Sequence, residues 1–404
     1  MSSQIPQTYR ALQIPSPTSP PILTSLPTPP LTPSTVLVAP LITNLVSYIT
    51  SIFPPSPSRG YAYPTPLVPG ASSTPLVPGA SSIGRVLLAA PDLPALREGQ
   101  LVFLDPVIRS HDGSGAKILH GLNGAGTETG RAMMEGPWRD GSFGSVVRVP
   151  GENVHVLDEG RLFKQLGYEV ADLGFLGQLM VAYGGLRDVD VRPGETVLIA
   201  PSTGSFGGAA VHVALALGAD VVAMGRNEGV LRELEEVADR SYPGPGGRLR
   251  VVKMTGGVEG DVAVIAAAAR ELGGNGRGTV DVFFDISPPN AGGSSHIKAG
   301  VLSLRQGGRM SLMGGAAGDV AFPYFQIMMR GLTLRGTFMY TPGQIDELIK
   351  LVETGRLKLG REGAGAECVG VYGLEEWEQA FKKAGEEGRM GRFALLAPNG
   401  KDAL

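Results

Sequence analysis

Between Val191 and Asn227 the chain reads VRPGETVLIAPSTGSFGGAAVHVALALGADVVAMGRN, and no other stretch restricts its fold as tightly. TVLIA (196–200) reads as a buried strand, a turn of Ser, Thr and Gly follows, and a helix opens near Gly207. A second strand, DVVAM, ends about twenty residues after the glycines, where adenosine ribose sits in a dinucleotide-binding unit. Helix N-terminal amides carry partial positive charge, and glycines let a diphosphate approach the backbone closely. Gly204, Ser205, Phe206, Gly207 and Gly208 are therefore the expected phosphate contacts, with Thr203 beside them in the turn.

The second strand runs into MGRN. An acidic residue there would bind both ribose hydroxyls and repel a 2′-phosphate, whereas Arg226 offers that phosphate a guanidinium fork. NADP is expected over NAD, with Arg226 and Asn227 at the adenosine end. The plainer alternative makes Arg226 a solvated turn residue and Asn227 the N-cap of the next helix.

From about Phe163 onward, short apolar runs alternate with helical stretches of ten or more residues, which is the signature of a parallel sheet with crossover helices, and of an α/β fold. LRVVKM (249–254), VDVFFDI (280–286) and RMSLMG (309–314) continue the strand series, and QIDELIKLVETGRL (344–357) is a further amphipathic helix. The N-terminal part differs. Eighteen of the 32 prolines lie in the first 80 residues, between short β-type runs, so an irregular β module is expected there. The run from Val36 to Phe53 is apolar enough to invite a membrane reading, but its Pro40, Asn44 and hydroxyl residues favour a buried strand followed by a loop.

With 35 Lys and Arg against 38 Asp and Glu, the chain has no charge bias that would call for nucleic acid. Cys368 is the sole cysteine, which excludes an internal disulfide or a multi-thiolate zinc site and suits a reducing compartment. No secretory leader is read at the N-terminus, so a cytoplasmic location is expected, with no membrane partner. His111 and His120 on a glycine-rich loop read as solvated, and His212 as a satisfied core histidine.

Residues 65–82 repeat the nonapeptide TPLVPGASS without change. Because nine is odd, both copies cannot share one strand register without swapping faces, so one copy is expected to loop out.

VRPGETVLIAPSTGSFGGAAV, FFDISPP, LRQGGRMSLMGG and LTLRGTFMY stand in the order and spacing of the medium-chain dehydrogenase/reductase superfamily. From about Thr8 on, the chain resembles its zinc-independent quinone oxidoreductase and enoyl reductase-like branch. The resemblance implies a GroES-like β domain over 1–165, completed by 343–404, and a doubly wound Rossmann NADP-binding domain over 166–342. It also implies a homodimer, a small-molecule substrate, and a coenzyme site that includes Gly314 and Tyr340, the latter walling the nicotinamide. Where zinc-containing relatives carry a metal-binding His, the text VPGASSIGRV has Ala80 or Ser81, so no catalytic metal is expected.

In zinc-free relatives an early Asn and Tyr line the substrate cleft, which the resemblance carries onto Asn44 and Tyr48. Leu45 stands where a proline is usual and the spacing is one residue short, leaving Tyr61 and Tyr63 as further candidates. The expected activity is metal-free, NADPH-dependent reduction of a conjugated carbonyl or quinone by hydride transfer. The alternatives are an NADP-dependent alcohol or carbonyl dehydrogenase, and a non-catalytic NADP(H)-binding protein.

Overall fold

The computed structural model describes residues 5–16, 19–53, 75–124, 126–243, 248–273 and 276–404. The chain divides into two compact units. One comprises residues 1–177, 368–388 and 393–404, and the other comprises 178–367 and 389–392.

The first unit opens with the hairpin β1 (Thr8–Gln13) and β2 (Ile22–Pro27). The long β3 (Thr35–Leu45) covers most of the Val36–Phe53 run, and its residues are buried except Ala39, which is half-buried. A loop and the single turn α1 (Ile49–Ile52) follow it. Then come β4 (Ser82–Ala89), β5 (Leu101–Leu104), the hairpin β6 (Val107–Arg109) with β7 (Lys117–Leu119), α2 (Glu128–Glu135), β8 (Val147–Pro150) and β9 (Val154–Val156).

The second unit begins in α3 (Leu176–Asp188) and alternates strand with helix: β10 (Thr196–Ala200), α4 (Ser205–Ala216), β11 (Asp220–Gly225), α5 (Glu228–Ser241), β12 (Leu249–Lys253), α6 (Val258–Glu271), β13 (Val280–Asp285), α7 (Ser295–Ser303) and β14 (Leu304–Leu312). It continues through α8 (Tyr324–Arg330), β15 (Thr333–Gly336), α9 (Pro342–Glu353) and α10 (Gly360–Ala364). The six strands pair in parallel in the order β12-β11-β10-β13-β14-β15, the doubly wound arrangement. All five residues of β10 are buried, as a strand covered on both faces requires. In α5 the buried Val230, Leu231, Leu234, Val237, Ala238 and Ser241 form one stripe at helical spacing, and Glu228 and Arg240 sit at the ends that the helix dipole favours.

The chain's last strands, β16 (Glu367–Gly373) and β17 (Arg392–Ala397), with α11 (Trp377–Glu386) between them, complete the first unit, whose main sheet runs β16-β17-β3-β4-β5-β9 with β8 on β3. The boundaries differ from those the sequence implies. The first unit reaches Gly177 rather than residue 165 and resumes at Cys368 rather than 343. The cause of the second difference is α9, which buries Ile345, Leu348, Ile349 and Val352 in the second unit, where its Glu347 accepts a hydrogen bond from Tyr183 at 2.7 Å.

Two histidine expectations need correction. His120 is 5% exposed, not solvated: its backbone N donates to the Pro106 carbonyl at 2.8 Å and its ring meets Trp138 edge-on. His212 is fully buried as expected but not satisfied, since neither ring nitrogen has a hydrogen-bond partner among the described residues and its ring lies tilted against Tyr242. Burial lowers the pKa of each imidazole to about 4.

The second copy of the nonapeptide is built into the first unit. Leu76 exchanges backbone hydrogen bonds with Ile14, the Ser81 carbonyl accepts from the Asn44 backbone N at 3.0 Å, and Ser82 opens β4. The first copy, 65–73, lies outside the described residues.

Candidate functional site

Chain order reverses between β10 and β13, whose last residues Ala200 and Asp285 are register partners. A crevice at the carboxyl ends of the strands is the place for a ligand in such a sheet. The turn leaving β10 is fixed from below: the Ser202 backbone N and Oγ both donate to the Met224 carbonyl, at 2.8 and 3.0 Å. It is also fixed from the side, where the Thr203 carbonyl accepts from Met390 N at 3.0 Å and Ser205 Oγ donates to the Arg389 carbonyl at 3.3 Å.

The glycines divide by cause. A β-carbon on Gly207 would stand 2.0 Å from the Pro201 carbonyl oxygen, and one on Gly208 would stand 2.2 Å from Met390 Cγ. Both are buried and both are required by packing. Gly204, the N-cap of α4, would meet nothing within 4 Å, so the space above it is open to a ligand. Ser205 and Phe206, half-buried in the first turn of α4, sit where the helix presents amides with no partner four residues back. Open space over Gly204 beside those amides fits a diphosphate.

At the end of β11, Arg226 is exposed and makes no ion pair or hydrogen bond among the described residues. Asn227 caps α5, its Oδ1 accepting from Gly229 N at 3.0 Å and Val230 N at 3.2 Å. Glu228 faces Lys253 at 3.0 Å, which holds its carboxyl below the usual range.

Beyond β13 lies a buried polar cluster that the sequence did not disclose. Ser287 Oγ donates to Asp285 Oδ1 at 2.5 Å and lies 2.8 Å from His296 Nε2, while Ser294 Oγ lies 2.6 Å from His296 Nδ1. Next to it the buried Asp261 accepts from Thr255 N, Thr255 Oγ1 and Ser295 Oγ. Ser, His and Asp here do not form a nucleophile with its base, because the serine hydrogen is committed to the carboxylate and all three residues are at most 3% exposed. The cluster instead ties together the loops that follow β12 and β13. Gly314 belongs to the same frame, since its β-carbon would stand 2.5 Å from Ser287 N. Tyr340 is 3% exposed and packs on α3, where a β-carbon on Gly184 would come within 2.7 Å of its Cβ.

In the first unit, Asn44 is 6% exposed, and its Nδ2 donates to the Gly174 carbonyl at 3.0 Å. A β-carbon on Gly177 would touch Ser81 Oγ at 2.2 Å and Asn44 Nδ2 at 3.0 Å, so Asn44 and Ser81 converge on one spot. Tyr48, at the start of α1, is half-buried against the core formed by Leu45, Ile49, Phe381 and their neighbours. Tyr61 and Tyr63 lie outside the described residues.

Residues 206–354 match the zinc-binding dehydrogenase family. Over that stretch the chain is similar to proteins of the medium-chain dehydrogenase/reductase type. Curated relatives are similar to the chain at low identity. An alcohol dehydrogenase of Rhizobium meliloti (strain 1021) is 26% identical over 47% of this chain and 54% of its own length, so the chain spans about half of that relative. A D-xylulose reductase A of Aspergillus oryzae is 24% identical over 71% of this chain and 80% of its own. Among solved structures, the crotonyl-CoA carboxylase/reductase AntE in complex with NADP is similar with a TM-score of 0.70, at 16% identity over 98% of this chain and 95% of its own. A thermostable alcohol dehydrogenase from Pyrobaculum aerophilum has a TM-score of 0.66, at 18% identity over 97% of this chain and 100% of its own.

The matching family is zinc-binding, but the donor set among the described residues is a poor fit to the metal. Asn44 and Ser81 meet at one spot, and an amide and a hydroxyl are not the thiolate, imidazole or carboxylate donors that zinc selects. Among the described residues, no group of three or more His, Cys, Asp and Glu could hold a metal ion.

Proposed function

We propose that this chain is a medium-chain dehydrogenase/reductase that binds NADP(H) and, without a metal, reduces a conjugated carbonyl or quinone. The observation that carries the coenzyme choice is Arg226, an exposed guanidinium with no ion pair among the described residues, placed where a 2′-phosphate belongs. Gly204 and the first turn of α4 take the diphosphate, and the NADP in the AntE complex supports the same coenzyme. Hydride is what the reduced coenzyme supplies when bound.

With no zinc-ligand group among the described residues, the substrate oxygen is held by hydrogen-bond donors, and these are assigned to Asn44, Tyr48 and Tyr63. Asn44 is positioned by its bond to Gly174, and a tyrosine hydroxyl or water delivers the proton that balances the hydride. An alcohol or carbonyl dehydrogenase is the second reading, favoured by the names of the curated relatives.

The partner is a small molecule, together with a second copy of the chain. The second copy is supported by α8, whose Tyr324, Phe325, Met328 and Met329 are 81%, 63%, 56% and 57% exposed beside the edge strand β15. No helix among the described residues is long and apolar enough to cross a membrane, and a cytoplasmic location is part of this proposal.

The test titrates the protein with NADPH and NADH and then follows coenzyme absorbance with enones, quinones and aldehydes. Turnover of enones or quinones is expected. Turnover of aldehydes alone would favour the second reading, and binding without turnover would leave a coenzyme-binding protein.

A further inference from the structure

Resting on the NADP reading above, we propose that Lys253 is a second specificity-determining residue for the coenzyme's 2′-phosphate, with Glu228 holding it in place until that phosphate arrives. Lys253 is the last residue of β12 and is in register with Gly225, the last of β11, so it stands in line with the residue directly before Arg226. Met254 N donates to the Gly225 carbonyl at 2.9 Å and pins the two strand ends together. Because the strands are parallel, both cations leave the sheet at its carboxyl edge, where the adenosine ribose sits.

Glu228 explains why Lys253 points toward that corner. Its Oε1 lies 3.0 Å from Lys253 Nζ and its Oε2 lies 3.8 Å from Arg232, while Arg226 takes no part. Lysine and glutamate are 58% and 51% exposed, and an ion pair so open to water contributes little. A phosphate carrying nearly two charges, with three acceptor oxygens, outcompetes a single carboxylate for the same ammonium. Without Lys253, the Glu228 carboxylate would be left beside the incoming phosphate and would repel it. An ordinary surface ion pair, by contrast, would have no bearing on the choice between NADPH and NADH.

The test is equilibrium binding of NADPH and NADH to the full chain, for wild type, Lys253→Gln, Lys253→Arg and Glu228→Gln. Loss of one charge-assisted contact should weaken NADPH about tenfold in Lys253→Gln while NADH changes by less than about twofold. Lys253→Arg should keep the wild-type ratio, and Glu228→Gln should bind NADPH at least as tightly as wild type. A Lys253→Gln protein with the wild-type NADPH to NADH ratio overturns the inference and leaves the NADP reading standing. So does a Glu228→Gln protein as weak for NADPH as Lys253→Gln. A wild type that does not discriminate between the two coenzymes overturns the NADP reading itself, and this inference with it.

Discussion

A β-carbon on Gly207 would stand 2.0 Å from the carbonyl oxygen of Pro201, whereas one on Gly204, three residues earlier, would meet nothing within 4 Å. Two glycines of one turn therefore serve different ends. Gly207→Ala should destabilise the fold by about 1–3 kcal/mol, the usual cost of overpacking, because the obstructing atom is backbone. Gly204 has φ −87° and ψ 170°, which any residue adopts, so Gly204→Ala should melt like wild type. Its loss should appear in NADPH affinity, because the methyl occupies the ligand's space. Thermal unfolding with and without NADPH separates the two effects. Equal melting points for both variants would contradict this division.

Arg226→Ala should lose the preference for NADPH, weakening it roughly ten- to a hundredfold and leaving NADH nearly unchanged, as expected for one charged hydrogen-bonding partner. The exposed side chain has no protein partner among the described residues, so melting behaviour should not change. Retention of the preference would remove the structural basis for assigning NADP.

The second unit was legible because its strands are short, apolar and separated by amphipathic helices. TVLIA and DVVAM fall within a residue of the observed β10 and β11. β14 was seen only in its second half, since its opening LRQGG is polar and has no strand pattern. The Asp285, Ser287 and His296 cluster was illegible: a loop of Pro, Asn, Gly and Ser intervenes, and no periodicity links the ends of a loop. The stripe on α9 announces a buried face but not which core covers it, and the domain boundary was misplaced there. In the first unit, a glycine-rich context suggested solvent around His120, but burial is decided by distant partners, here Pro106 and Trp138.

His212 gives a pH prediction with a definite sign. Unfolded, the imidazole titrates near 6.5, and in the fold burial lowers it to about 4. Between those values the unfolded chain binds more protons, so stability is fully present above pH 6.5 and is lost as pH falls toward 4. At 1.36 kcal/mol per unit the loss is about 3 kcal/mol, and His120 adds a similar one. His212→Leu should flatten this slope and leave neutral-pH stability equal or higher, because neither ring nitrogen loses a partner among the described residues. Urea unfolding at pH 7.5 and 5 measures both quantities, and an unchanged slope would count against the buried neutral form.

The duplicated nonapeptide can be tested by deletion. The second copy carries the contacts that hold its place: Val77 N donates to Asp140 Oδ1 at 3.1 Å, and Ala80 N donates to Ser142 Oγ at 3.1 Å. A β-carbon on Gly79 would stand 2.7 Å from both the His120 carbonyl and Ser142 N, so no bulkier residue fits that position. Removing Thr65–Ser73 leaves TPLVPGASSIGRV directly after YAYP and keeps every one of these partners. The shortened protein should unfold within about 1 kcal/mol of wild type, since loop length alters closure entropy only logarithmically. Gly79→Val, made in the full-length chain, should cost several times more through backbone overpacking. If the deletion were the more damaging change, the first copy would hold a place in the fold that the second cannot fill.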